Sequence, residues 1–181
     1  QEAQALDAIR LTGGDLVTPE DAERIVRFVA SQQEGPAVGM ASGESADASI
    51  EPALLSLLCS GLNRERQTAN APRLDASDLE QRGGRIMERF YDDASKGVAA
   101  AAVAFLEDEL ITPDGVRLFY PLKSILQNPG ITKKDIDTLI DRRLLRRQPF
   151  VDGERIEVVH DRLAAVARQR RKAREIASEQ Q

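Results

Sequence analysis

The chain has one cysteine, one histidine and no tryptophan in 181 residues. A single cysteine forms no internal disulfide, which points to a reducing compartment. One histidine and one cysteine do not make a zinc site of the common nitrogen and sulfur kind. No apolar run reaches the length of a membrane span, and no charged-then-apolar leader opens the chain. Neither a span nor a secretory signal is therefore expected, and the expected location is cytoplasmic. Also missing are G-x-x-x-x-G-K-[ST], G-x-G-x-x-G and G-x-S-x-G, so the chain has no phosphate-cradling loop or nucleophile elbow of its own. No nucleophile has a base beside it. The expectation is that this chain is not an enzyme by itself.

Charge is abundant but uneven. Residues 1–120 carry 11 Lys and Arg against 21 Asp and Glu, whereas residues 121–181 carry 14 against 9. The two parts are expected to face different surroundings. A basic C-terminal part suggests nucleic acid, and an acidic neighbouring domain is an equally good complement.

Helical spacing recurs along the chain. Ala5, Leu6 and Ile9 share a face, and Gly13-Gly14 closes that segment. Thr18-Pro19-Glu20-Asp21 has the composition of a helix start, ahead of Ala22, Ile25, Val26 and Val29. Residues 34–49, small and polar with only acidic charges, read as a linker. Ile50 to Cys59 is the most apolar stretch, a buried helix with Cys59 as a small core residue. Ser77–Glu80 opens a short helix, Gly83-Gly84 breaks it, and Arg85–Ser95 resumes. Asp92-Asp93 and Glu107-Asp108-Glu109 are read as solvated helix faces.

After the alanine-rich helix Val98–Leu110, Thr112-Pro113-Asp114-Gly115 signals a turn. A short helix is expected over Pro121–Gln127, and Thr132-Lys133-Lys134-Asp135 has capping-box spacing. Leu144–Phe150 and Arg155–Val159 flank Asp152-Gly153 as a hairpin, and Asp161 caps a basic helix from Arg162 to about Ala177. The order of helices and hairpin is that of a winged helix. The fold class expected is mainly α: a helical bundle over 1–96, then a winged-helix domain over 97–181 with one small β-hairpin and a basic last helix.

Two features remain for function. His160 sits between a strand and the last helix, where it is either a structural histidine or a donor to an anion at the helix N-terminus. The arginines near Leu144 and on the last helix read as a solvated or partner-facing surface. As a DNA reader the third winged-helix helix presents Lys133 and Lys134 but also Asp137 and Asp141, without interleaved aromatics. DNA is therefore an unfavoured partner.

Several segments occur in a telling order: Ile50-Glu51-Pro52-Ala53-Leu54-Leu55-Ser56-Leu57-Leu58-Cys59, Phe90-Tyr91, Phe105 to Thr112, Asp141-Arg142-Arg143-Leu144-Leu145-Arg146 and Val158-Val159-His160-Asp161. The series resembles the C-terminal part of the NTPase module of bacterial STAND signalling proteins, the novel STAND group in particular. The resemblance implies a helical lid over 1–96 and a winged helix over 97–181, with a P-loop domain upstream and a sensor domain downstream as partners. ADP or ATP with Mg is implied only where that P-loop domain is present. Pro52 matches a lid proline that packs on adenine, with Ile50 where the family has glycine. His160, in Val159-His160-Asp161, matches the histidine of a Met-His-Asp motif that contacts the β-phosphate of ADP. The role implied is a nucleotide switch controlling oligomerisation, in bacterial stress or phage-defence signalling. The alternative from another class is a free-standing winged-helix transcription regulator with a helical dimerisation domain.

Overall fold

A computed structural model of the chain describes residues 2–32, 52–151 and 153–179. The expected linker 34–49, Ile50 and Glu51 of the lid motif, and Asp152 of the hairpin turn lie outside the described residues. The fold is mainly α with a small antiparallel sheet. Two compact units divide at Ile86 and Met87, ten residues before the seam expected near Lys96-Gly97.

The first unit is helical. Helix α1 (Glu2–Gly13) ends in a 3-10 turn, Gly14–Leu16, at the Gly13-Gly14 pair, where Gly14 takes a φ of +50° that suits glycine. Helix α2 (Pro19–Ser31) starts as its composition predicts. The Thr18 hydroxyl oxygen accepts the Asp21 N–H at 3.1 Å, and Pro19 takes the first turn. Ala22, Ile25, Val26 and Val29 form its buried face. Helix α3 (Pro52–Thr68) contributes Leu54, Leu57, Leu58 and Leu62 to the same core. Cys59 is only part-buried, because it falls beside that stripe rather than in it.

Helix α4 (Leu79–Ser95) corrects an expectation. Gly83-Gly84 does not break the chain; both glycines lie inside the helix. The reason is packing: a Cβ on Gly83 would fall 2.3 Å from the Cζ of Phe28, so glycine lets the α2 ring lie against the α4 backbone. Tertiary contact here overrides helix propensity.

The second unit has winged-helix order. Helix α5 (Ala100–Glu109) is followed by strand β1 (Phe119–Pro121), α6 (Leu122–Ile125), α7 (Lys133–Asp141), β2 (Leu145–Phe150), β3 (Gly153–Val158) and α8 (Asp161–Glu179). The capping box at α7 forms: Asp135 N–H donates to the Thr132 hydroxyl, and Thr132 N–H donates to the Asp135 carboxylate. The hairpin β2–β3 gains a third strand, in the order β1-β3-β2. Strand β1 is short and half exposed, so its composition carried no alternating signal. Ile125, Ile136, Leu139, Leu144, Ile156, Val158 and Leu163 are buried in this unit.

Candidate functional site

The joint between β3 and α8 carries the Val159-His160-Asp161 motif. Its construction begins at the turn Thr112–Gly115, where Gly115 N–H donates to Thr112 O at 2.9 Å and Thr112 N–H to Val116 O at 2.9 Å. Gly115 takes a φ of +91°. The reversed chain then pairs Ile111 with Arg117. Arg117 reaches the joint: Nη1 donates to Val158 O and Val159 O, each at 3.1 Å, and Nε donates to Asp161 Oδ1 at 2.5 Å. One guanidinium thus fixes the last strand residues to the first helix residue. Its planar fork suits this task. Val159 N–H also donates to Leu144 O at 3.1 Å, tying the joint to the start of β2.

His160, 4% exposed, is the cap of α8. Its Nδ1 accepts the Arg162 N–H at 2.9 Å, and its carbonyl accepts from Leu163 N–H at 3.0 Å and Ala164 N–H at 3.1 Å. The expected cap, Asp161, is instead the first helical residue and turns to Arg117. An imidazole nitrogen that accepts a hydrogen bond holds no proton, so the neutral ring carries its proton on Nε2. That tautomer is a donor, which fits a phosphate oxygen. The helix amides fit one less well. Three of the four at the start of α8 are already satisfied within the chain, so a cradle of open N–H groups is not what α8 offers.

The other sequence candidates sit elsewhere. Pro52 is exposed as the first residue of α3 in the first unit, where a ring with fixed φ and no N–H is well accommodated. His160 belongs to the second unit. Arg117 was missed by sequence reading, because its three partners lie over forty residues away.

Glu107 also departs from expectation. Far from a solvated face, it is 4% exposed. Its Oε1 accepts the Tyr91 hydroxyl at 2.9 Å, and Oε2 lies 3.3 Å from Arg174 Nη1. Burial pushes its carboxyl above the ordinary range; the Tyr91 bond and Arg174 oppose that rise. Neighbouring arginines of α8 follow the same logic: Arg170 pairs with Asp92 at 2.8 Å, and Arg174 with Asp108 at 2.5 Å. The last helix therefore spends much of its positive charge on acids of its own unit.

The surface around α7 is similarly neutralised. Asp137 takes Lys133 and Arg147, each at 2.6 Å, and both cations hold its carboxyl below the ordinary range, the Lys133 bond foremost. A phosphate backbone would have to compete with these acids. Among the described residues, no cluster suits a metal ion and no helix is long and apolar enough to cross a membrane. Compared with family models, curated proteins and solved structures, the chain matches none.

Proposed function

We propose that this chain is the regulatory helical lid and winged helix of a STAND-type nucleotide switch, with ADP or ATP and its Mg held by a P-loop domain of the same protein. The reading rests on one observation: the histidine of Val159-His160-Asp161 caps α8 through Nδ1, in a joint clamped by Arg117. Such a ring is already largely stripped of water, so a phosphate contact costs little further desolvation on the protein side. A hydrogen bond to a charged group contributes about 1.5–3 kcal/mol net. That biases a two-state equilibrium by about one to two decades without locking it. Arg117 supplies the stiffness, so that a force on His160 moves α8 and β3 together. A transcription regulator reading DNA through α7 is disfavoured by the Asp137 ion pairs.

The test separates the cap from the contact. His160→Asp keeps a good capping acceptor but has no donor for a phosphate, whereas His160→Ala removes both. In the protein with its upstream coding region, both variants are expected to release ADP faster, and only His160→Ala to lose stability. If His160→Asp releases ADP at the wild-type rate, the histidine is a cap alone and the switch reading fails. Tight, salt-sensitive duplex binding by this chain would favour the DNA reading instead.

A further inference from the structure

Within the second unit, one face of α5 and the turn between α6 and α7 enclose a cavity of about 460 Å³, within the size range of small-ligand sites. Ala101, Phe105 and Glu109 follow one another at four-residue spacing along that face. Tyr120 of β1 stands against Phe105 edge to face, with 5.5 Å between ring centroids. The Asn128-Pro129-Gly130 turn closes the far side. Gly130 has a φ of +81°, and a Cβ there would lie 3.3 Å from the Ala101 Cβ, so the turn approaches α5 closely. Buried Ile131 and half-buried Phe105 and Tyr120 make an apolar floor, whereas Glu109, Ser124 and Asn128 are exposed at the rim.

The rim is rich in acceptors and short of donors. The Tyr120 hydroxyl donates to Glu109 Oε2 at 3.1 Å, and Asn128 Nδ2 donates to Ser124 O at 3.1 Å and Ile125 O at 3.0 Å. Those bonds use the Tyr120 proton and both Asn128 amide protons, and they leave Glu109 Oε1 and Asn128 Oδ1 as acceptors. Among the described residues no lysine or arginine lines the cavity. Three successive acids end α5, and their ion pairs are unequal. Glu107 lies 3.3 Å from Arg174, and Asp108 pairs with Arg171 and Arg174. Glu109 makes no ion pair among the described residues. It stands at the negative end of the helix dipole, in a last turn that holds no basic residue, where a cation is favoured.

We propose that this cavity binds a guanidinium group on a short alkyl stem, either a free alkylguanidine or an arginine side chain of another protein. The stem covers the apolar floor at Ile131 and Phe105. The guanidinium carries donors and no acceptor, so it answers Glu109 Oε1 and Asn128 Oδ1 at once, and its plane stacks on the Tyr120 ring. An ammonium is more strongly hydrated and has no plane to stack. An anion meets two carboxylates at the rim. The inference goes beyond the nucleotide reading and is independent of it, because none of these residues belongs to the joint between β3 and α8.

Titration of the 181-residue chain with n-butylguanidinium, followed by amide chemical shifts in nuclear magnetic resonance, tests it. Saturable shifts are expected at Ala101, Asn128 and Ile131, with a Kd of about 1 mM. n-Butylurea has the same shape without the charge and binds at least about tenfold more weakly. Glu109→Gln, an exposed position that leaves the core intact, weakens n-butylguanidinium by about tenfold or more. Asp114→Asn removes an exposed carboxylate outside the cavity and leaves the affinity unchanged. N-acetylarginine amide separates the two sources: binding as tight as that of n-butylguanidinium assigns a protein-borne arginine, and failure to bind assigns a free alkylguanidine. The proposal is overturned by shifts that do not saturate up to about 10 mM, or by n-butylurea binding as well as the cation. It is equally overturned if Glu109→Gln binds like the wild type, or if Asp114→Asn costs as much as Glu109→Gln.

Discussion

Removing one hydroxyl oxygen, in Tyr91→Phe, tests the energetics of the buried acid in the second unit. Tyr91 is 1% exposed and Glu107 4%, and the bond between them is 2.9 Å long. A hydrogen bond to a charged group contributes about 1.5–3 kcal/mol. The variant leaves Glu107 with Arg174, so the loss is expected to stay within that range. At about 4–8 °C per kcal/mol for a domain of this size, the melting point falls by at least about 6 °C. Tyr120→Phe is the control. It removes a similar bond, to Glu109 at 3.1 Å, but at the surface, and is expected to shift nothing measurable.

The pH dependence sharpens the test. Burial raises the Glu107 carboxyl above its ordinary value, against the pull of Tyr91 and Arg174. Between the ordinary and the raised value the folded chain binds more protons than the unfolded one, so Glu107 makes stability fall as pH rises through that window. Tyr91→Phe removes an influence that holds the value down, which deepens the fall. In acid, below the ordinary glutamate value, Glu107 is protonated in both states and only a neutral bond of about 1 kcal/mol is lost. The deficit of the variant should therefore grow from acid to neutral pH. Thermal unfolding followed by far-ultraviolet circular dichroism measures it. Equal deficits at both pH values, or a Tyr120→Phe as costly as Tyr91→Phe, would refute the reasoning.

Two further outcomes are expected. Gly84→Ala, which meets nothing within 4 Å, stabilises α4 by about 1 kcal/mol. Gly83→Ala and Gly61→Ala, whose Cβ atoms would lie 2.3 Å from Phe28 and 2.2 Å from Ile86, destabilise by about 1–3 kcal/mol; urea unfolding that ranks Gly83→Ala with Gly84→Ala contradicts the close approach. Burial pushes the Cys59 thiol up to about 11, so little reactive thiolate exists near neutral pH. Iodoacetamide should label the folded chain at least about tenfold more slowly than the urea-unfolded chain, and equal rates would show the thiol to be open.

Local chemistry was legible where neighbours in sequence are neighbours in space. The Thr132 capping box, the Thr18 cap with Pro19, the Thr112–Gly115 turn and the β2–β3 hairpin all complete themselves within a few residues. Periodicity likewise exposed the buried stripes of α2 and α7, because a helix repeats its face regardless of what covers it. Reading failed where a distant group decides. Glycine at 83 looked like a break until the Phe28 ring explained it. Glu107 looked solvated, since nothing near it in sequence announces Tyr91 or Arg174.

The same division runs through the joint at His160. By itself the sequence determined that a lone histidine stands between a strand and a helix, that a single cysteine forms no internal disulfide, and that charge is split along the chain. Only the tertiary structure decided which residue caps α8, which ring nitrogen carries the proton, and that Arg117 holds the joint. It likewise brought Phe105, Glu109, Tyr120 and Asn128 around one cavity. Caps and turns are short-range hydrogen bonds that composition encodes directly. A clamp across forty residues, or a cavity between one helix and a later turn, exists only after the core has closed and fixed the register.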